Sequence, residues 1–86
     1  MKIKKELIKR QIADDVILVP TGKTVYENNG LFALNEIGAF IWDRLEAAQD
    51  EGELVKAVLD EYEIDEETAK NDVAEFVNKL RELEII

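Results

Sequence analysis

The chain of 86 residues contains no cysteine, no histidine and no serine. Without cysteine there can be no disulfide, thiolate metal site, iron–sulfur ligation or thiol nucleophile. Without histidine there is no imidazole base or ligand. Without serine there is no serine nucleophile and no attachment point for a serine-linked carrier arm. Four glycines and one proline are too few to assemble a glycine-rich phosphate loop. What remains for chemistry is carboxylates, lysines, three threonines and two tyrosines. The chain is therefore expected not to be an enzyme and to carry no metal and no cofactor. No apolar run approaches the roughly 18 residues of a membrane span. The charged first residues are not followed by the apolar core of a secretory signal. The expectation is a cytoplasmic protein without a membrane partner.

Positive charge is also scarce. Eleven Lys and Arg face twenty Asp and Glu, for a net charge of −9. The imbalance is uneven. Residues 1–23 hold six basic side chains (Lys2, Lys4, Lys5, Lys9, Arg10, Lys23) and three acidic ones, net +3. Residues 24–86 hold five basic and seventeen acidic side chains, net −12. One reading is that a basic strand region neutralises an acidic helical region. The other is that one of these surfaces selects a partner of opposite sign.

A chain of this length suggests one domain over residues 1–86, burying only about 60–65% of its unfolded surface. The first part reads as strand. Ile3, Leu7, Ile8 and Ile12 stand apolar amid charge, Asp14-Asp15 signals a turn, and Val16–Val19 is a β-branched run stopped by Pro20-Thr21-Gly22. Val25-Tyr26 is a short β-like pair, Asn28-Asn29-Gly30 signals a tight turn, and Leu31, Phe32, Ala33 and Leu34 form a third strand.

Helical period begins at Asn35, a good N-cap followed by Glu36. Ile37, Phe40, Ile41 and Leu45 make one apolar face, with Phe40 and Trp42 expected in the core. Gly38, inside this helix, is expected to admit another backbone. A second helix starts near Asp50 with Glu53 three residues on, resembling a capping box, and its stripe is Leu54, Val55, Val58, Leu59 and Tyr62. A third starts at Asp65, with Ala69, Val73, Phe76, Val77, Leu80 and Leu83 at helical spacing. Ile85-Ile86 should pack back on the domain. Strands first and helices after imply an α+β fold, a three-stranded antiparallel sheet followed by three helices with the ingredients of a winged helix-turn-helix.

The acidic run Asp60–Glu67 fails as a calcium loop. From Asp60 the alternate positions are Tyr62 and Ile64, and neither Asp60 nor Asp65 as a start puts glycine at position six. Among the carboxylates, Asp72 stands out because it adjoins Val73 and Phe76. The winged-helix layout raises an alternative function, a DNA-binding transcriptional regulator. The second helix offers a single base, Lys56, and the third sets its Lys and Arg among six acids, so neither suits a phosphate backbone. No nucleic-acid partner is expected. Protein recognition is left: an exposed edge strand can accept a peptide as an added strand.

The segment Leu34–Leu45, LNEIGAFIWDRL, followed by ELVKAVLDEYEID and NDVAEFVNKLRELEII, resembles the family of coenzyme PQQ synthesis protein D (PqqD) over residues 12–86. The resemblance implies a winged helix-turn-helix that recognises precursor peptides of ribosomally made, post-translationally modified natural products. Such domains bind the leader region and present it to a modifying enzyme, often a radical SAM maturase. The leader adds to the third strand, here Leu31, Phe32, Ala33 and Leu34. Its side chains enter a groove beside the third helix, drawn here from Asp72, Val73, Phe76, Val77, Lys79 and Leu80, some of which also serve the core. The basic first 23 residues would then help an acidic leader approach. Unpaired sheet edges permit either a monomer or a strand-exchanged dimer.

Overall fold

The structure, a computed structural model, describes residues 1–22 and 32–86. Leu31, the Val25-Tyr26 pair and the Asn28-Asn29-Gly30 turn lie outside the described residues. The order is β1 (Leu7–Ile12), β2 (Asp15–Pro20), β3 (Phe32–Leu34), α1 (Glu36–Arg44), α2 (Glu51–Glu61) and α3 (Glu66–Glu82). This is the α+β arrangement of a three-stranded antiparallel sheet followed by three helices, in a winged-helix layout. Among the described residues strand order is β1-β2-β3, so β2 is central and β3 forms one margin of the sheet.

The register follows from hydrophobic alternation. Val16 faces Leu34, Ile17 faces Ala33 and Leu18 faces Phe32 across the β2–β3 ladder. Successive side chains point to opposite faces of a strand. Phe32 and Leu34 therefore share the face that carries the fully buried Leu18, while Ala33 turns the other way and is exposed. On β1, Lys9 pairs with Leu18 and reaches the carboxylate of Asp43 on α1, at 2.5 Å. Ile8 and Ile12 fall on the opposite face and stay 40% and 55% exposed. The β1–β2 turn is Ala13-Asp14, one residue earlier than the Asp14-Asp15 expected, and Ala13 takes a positive φ of 54°. Asp15 then joins β2 opposite Ile12.

Each helix starts where its cap residue stands. The side chains of Asn35, Asp50 and Asp65 accept backbone N–H bonds from Gly38, Glu53 and Thr68 at 2.7, 3.0 and 2.7 Å, satisfying donors that a helix start leaves open. The expected capping box at Asp50 closes one residue early: the Glu53 carboxylate accepts from the N–H of Gln49 rather than of Asp50. Hydrogen bonds from Thr68, side chain and backbone, hold the Asp65 carboxyl below its ordinary range. A lowered folded value means this cap stabilises the helix fully above the ordinary carboxylate range and loses that effect as pH falls through the lowered one.

The core sits between the helices. Ile41, Leu45, Leu54, Val58, Ala69, Val73, Val77, Leu80 and Ile85 form one buried cluster. Leu7 and Phe32 of the sheet pack against it. Phe40 and Trp42 do not enter it fully. Both are half-buried at its rim, Phe40 edge-on to Tyr62 at 5.3 Å with the Arg44 guanidinium 4.0 Å from its ring centre. Burial pushes the Tyr62 phenol up, and the charges of Glu36 and Glu61 add to the shift.

The chain end packs back as expected. Ile85 is 2% exposed, and its N–H reaches the Leu80 carbonyl at 2.8 Å. Glu84 donates to Arg81 at 3.0 Å and has φ of 59°. These are the two bonds of a Schellman motif with glutamate at the left-handed position usually held by glycine. Residues 1–5 strap the same end. Lys4 donates its N–H to the Ile85 carbonyl at 2.6 Å, and the Lys5 ammonium reaches Leu83 O at 3.0 Å. The Met1 amine donates to the carbonyls of Leu45 and Ala48, beyond the end of α1.

A side chain in the left-handed region costs about 1–2 kcal/mol, and a carboxylate at a helix C-terminus opposes the macrodipole. Glu84→Gly removes both penalties, against some gain in unfolded-state entropy. Thermal unfolding should show a net gain of about 1 kcal/mol, or a Tm roughly 4–8 °C higher. An unchanged or lower Tm would mean the Glu84 conformation carries no strain.

Candidate functional site

β3 is short, and its outer side faces no other strand among the described residues. Beside it runs a groove of about 160 Å³. Phe32, Ala33 and Leu34 supply the strand wall. Ile37, Gly38 and Ile41 of α1 supply the floor, and Asp72, Glu75, Phe76 and Lys79 supply the helix wall.

The helix wall has a simple cause. At 3.6 residues per turn, Ala69, Val73, Val77 and Leu80 fall on one stripe of α3, and Asp72, Glu75, Phe76 and Lys79 on the next, roughly 100° around the axis. The first stripe is fully buried, each member at 0% exposure. The neighbouring stripe faces β3 across the groove. Of the six helix residues expected at the groove, Asp72, Phe76 and Lys79 line it. Val73, Val77 and Leu80 do not, since the core takes their whole surface. Of the strand residues, Phe32, Ala33 and Leu34 line the groove, with Leu34 itself 9% exposed and Leu31 outside the described residues.

Glu75 and the α1 residues are additions that the sequence reading does not contain. Glu75 has a signal there all the same: it completes an i, i+3, i+4, i+7 row with Asp72, Phe76 and Lys79. The neighbours of Gly38 are the Asn35 side chain and the Phe76 ring rather than another backbone. A Cβ there would stand 3.1 Å from the Asn35 cap oxygen and 3.5 Å from Cε1 of Phe76. The tight approach is to the cap oxygen; the Phe76 ring lies at ordinary contact distance over the first turn of α1.

Phe76 is half-buried, shared between core and groove. Its ring stands 6.4 Å from that of Phe32, tilted by 56°. The Lys79 ammonium lies 5.0 Å from the Phe32 ring centre, a cation–π contact. These residues bind strand to helix by rings and charge and border the open groove beside them. The groove is far smaller than the roughly 300–1,000 Å³ of a small-molecule site. It is close to the size of an engineered cavity of about 150 Å³ that takes a benzene ring. It suits one side chain of a partner whose backbone lies along β3.

The basic strand is not part of this site. β1 lies beyond β2, at the opposite side of the sheet, and its Lys9 is tied to Asp43. Among the described residues no three acidic side chains converge as a metal site, and no helix is long and apolar enough to cross a membrane.

The chain matches the sequence profile of the family described as coenzyme PQQ synthesis protein D (PqqD) over residues 15–86. Two solved structures resemble it along nearly their whole length. One is TbiB1 in complex with the TbiA(β) leader peptide, with a TM-score of 0.72 and 30% identity, covering 99% of this chain and 93% of that one. The other is a lasso peptide synthetase B1 complexed with the leader peptide, with a TM-score of 0.70 and 23% identity, covering 94% and 89%. At that identity the second likeness speaks for the fold alone. No curated protein matches the chain significantly.

Proposed function

The chain belongs to the PqqD family, and we propose that it binds the leader region of a ribosomally synthesised precursor peptide by strand addition to β3. One observation carries this reading: a strand margin that is open among the described residues lies beside a groove sized for one side chain. Backbone N–H and C=O groups on that margin supply affinity, and the groove supplies selectivity. The family and the likeness to TbiB1, a protein solved with a leader peptide, support it.

In this reading residues 1–86 form a single recognition domain, free of catalysis and cofactor. It holds the leader through Phe32, Ala33, Leu34, Asp72, Phe76 and Lys79, with Leu31 extending the strand, and presents the precursor to a separate modifying enzyme in the cytoplasm. A radical SAM maturase is one such partner. The absence of histidine, cysteine and serine supports a presenting rather than a catalysing role.

The test is a titration with the leader peptide of a precursor encoded beside this chain. Saturable binding, with no mass change in the precursor when it is incubated with this protein alone, is the expected result. Duplex DNA at moderate salt should give no signal, because a −9 protein repels a phosphate backbone. DNA binding without leader binding would replace this reading with the regulator.

A further inference from the structure

The groove is not electrically neutral, and its polarity opposes that of the basic strand. Asp72 and Glu75 stand on its helix wall, half-buried and exposed. Glu75 and Lys79 are four residues apart, a spacing at which oppositely charged helix side chains commonly pair. Here they do not: the Lys79 ammonium is drawn over the Phe32 ring instead. The helix's other cations are occupied elsewhere, Lys70 with Glu66 and Arg81 with Glu51. Two carboxylates are left at the groove without an ion-pair partner among the described residues. The apolar part of the site lies next to them, where Phe32 and Phe76 flank the open volume.

Resting on the peptide-binding reading above, we propose that Asp72 and Glu75 are specificity-determining residues. They select a leader that places a Lys or Arg against the helix wall, two residues from an aromatic side chain seated against the Phe32–Phe76 pair. The spacing follows from strand geometry. In an added strand, residues two apart point to the same side, about 6.6 Å from each other. Asp72, Glu75 and Phe76 lie within four residues on the helix, about 6 Å along its axis at roughly 1.5 Å per residue. An aromatic and a basic residue at i and i+2 of the leader thus reach the ring and the carboxylates together. An acidic residue in the basic position would meet two like charges, so the wall selects by rejection as well as attraction. Whatever long-range steering the basic strand provides, the segment inside the groove carries the opposite sign.

The experiment uses a displayed library of random dodecapeptides, selected against the full chain and against an Asp72→Lys, Glu75→Lys double variant. Circular dichroism and thermal unfolding first show that the variant is folded, as expected for two side chains outside the buried cluster. Peptides enriched on the unmodified chain should share an aromatic residue with Lys or Arg two positions away. Those enriched on the variant should keep the aromatic and carry Asp or Glu instead. One selected peptide, resynthesised with Glu for its basic residue, should bind the unmodified chain about tenfold more weakly and recover on the variant. Enrichment of aromatic peptides without charge preference, or with the same preference on both proteins, overturns this inference and leaves peptide binding standing. No enrichment on either protein would count against peptide binding itself. If the variant does not fold, Asp72→Asn with Glu75→Gln takes its place, and the basic preference should then disappear; its persistence would overturn the inference.

Discussion

Phe76→Ala should leave a folded protein that binds leader peptide at least about thirtyfold more weakly. The ring is the largest apolar surface that α3 turns toward the groove. It sits 6.4 Å from Phe32 and against Gly38, with space on its open side. A partner side chain seated there would pack against the ring pair in the groove, the setting in which interface truncations cost about 2 kcal/mol or more. The folding cost should be smaller than the roughly 3–5 kcal/mol of a fully buried phenylalanine, because half-burial has already left part of the ring in water. Phe40 cannot serve as the core control, since it too is half-buried at the rim. Leu54 of α2, 1% exposed in the buried cluster and not among the residues lining the groove, can. Leader affinity and thermal unfolding, measured on Phe76→Ala and Leu54→Ala together, separate the two roles. Equal loss of stability in both variants would assign Phe76 to the core.

Leu80→Ala should be the most damaging truncation on α3. The side chain has no exposure and belongs to the central cluster, and its own carbonyl accepts the Ile85 N–H that closes the helix. Removing a buried leucine side chain costs about 2–5 kcal/mol, a large share of the roughly 5–15 kcal/mol that holds a domain folded. Tm should fall by about 10 °C or more. Its neighbour Lys79 offers the contrast. Lys79→Ala removes an exposed cation–π contact, so stability should change by less than about 1 kcal/mol, while the groove loses part of its helix wall. Denaturant unfolding of the pair, with leader affinity for the variants that remain folded, tests both statements. A stable Leu80→Ala protein with impaired binding would return Leu80 to the groove.

The elements were legible because local chemistry and period agreed. Asn35, Asp50 and Asp65 mark their helices by the same side-chain geometry that the structure uses. The β-branched Val16–Val19 run became the central strand. What stayed hidden depended on neighbours. The period of α3 shows an apolar face, but two stripes overlap at Phe76, and only the position of β3 tells which residues are covered and which border the groove. The sequence therefore offered Val73, Val77 and Leu80 beside Asp72, Phe76 and Lys79 without dividing them. Gly38 signalled a close approach but not what approaches. The left-handed residues Ala13 and Glu84 carry no glycine to announce them, because the hairpin and the packing of Ile85 impose their conformations.

Strand addition is tested most directly by amide hydrogen exchange on β3, residue by residue, with and without leader peptide. Only alternate residues of a strand direct their N–H groups to a given side. On binding, outward-directed amides within Phe32–Leu34 should gain protection in that alternating pattern, while β1 amides keep their free-state rates. Saturable leader binding with no added protection on β3, or with the protection on β1 instead, would contradict the account.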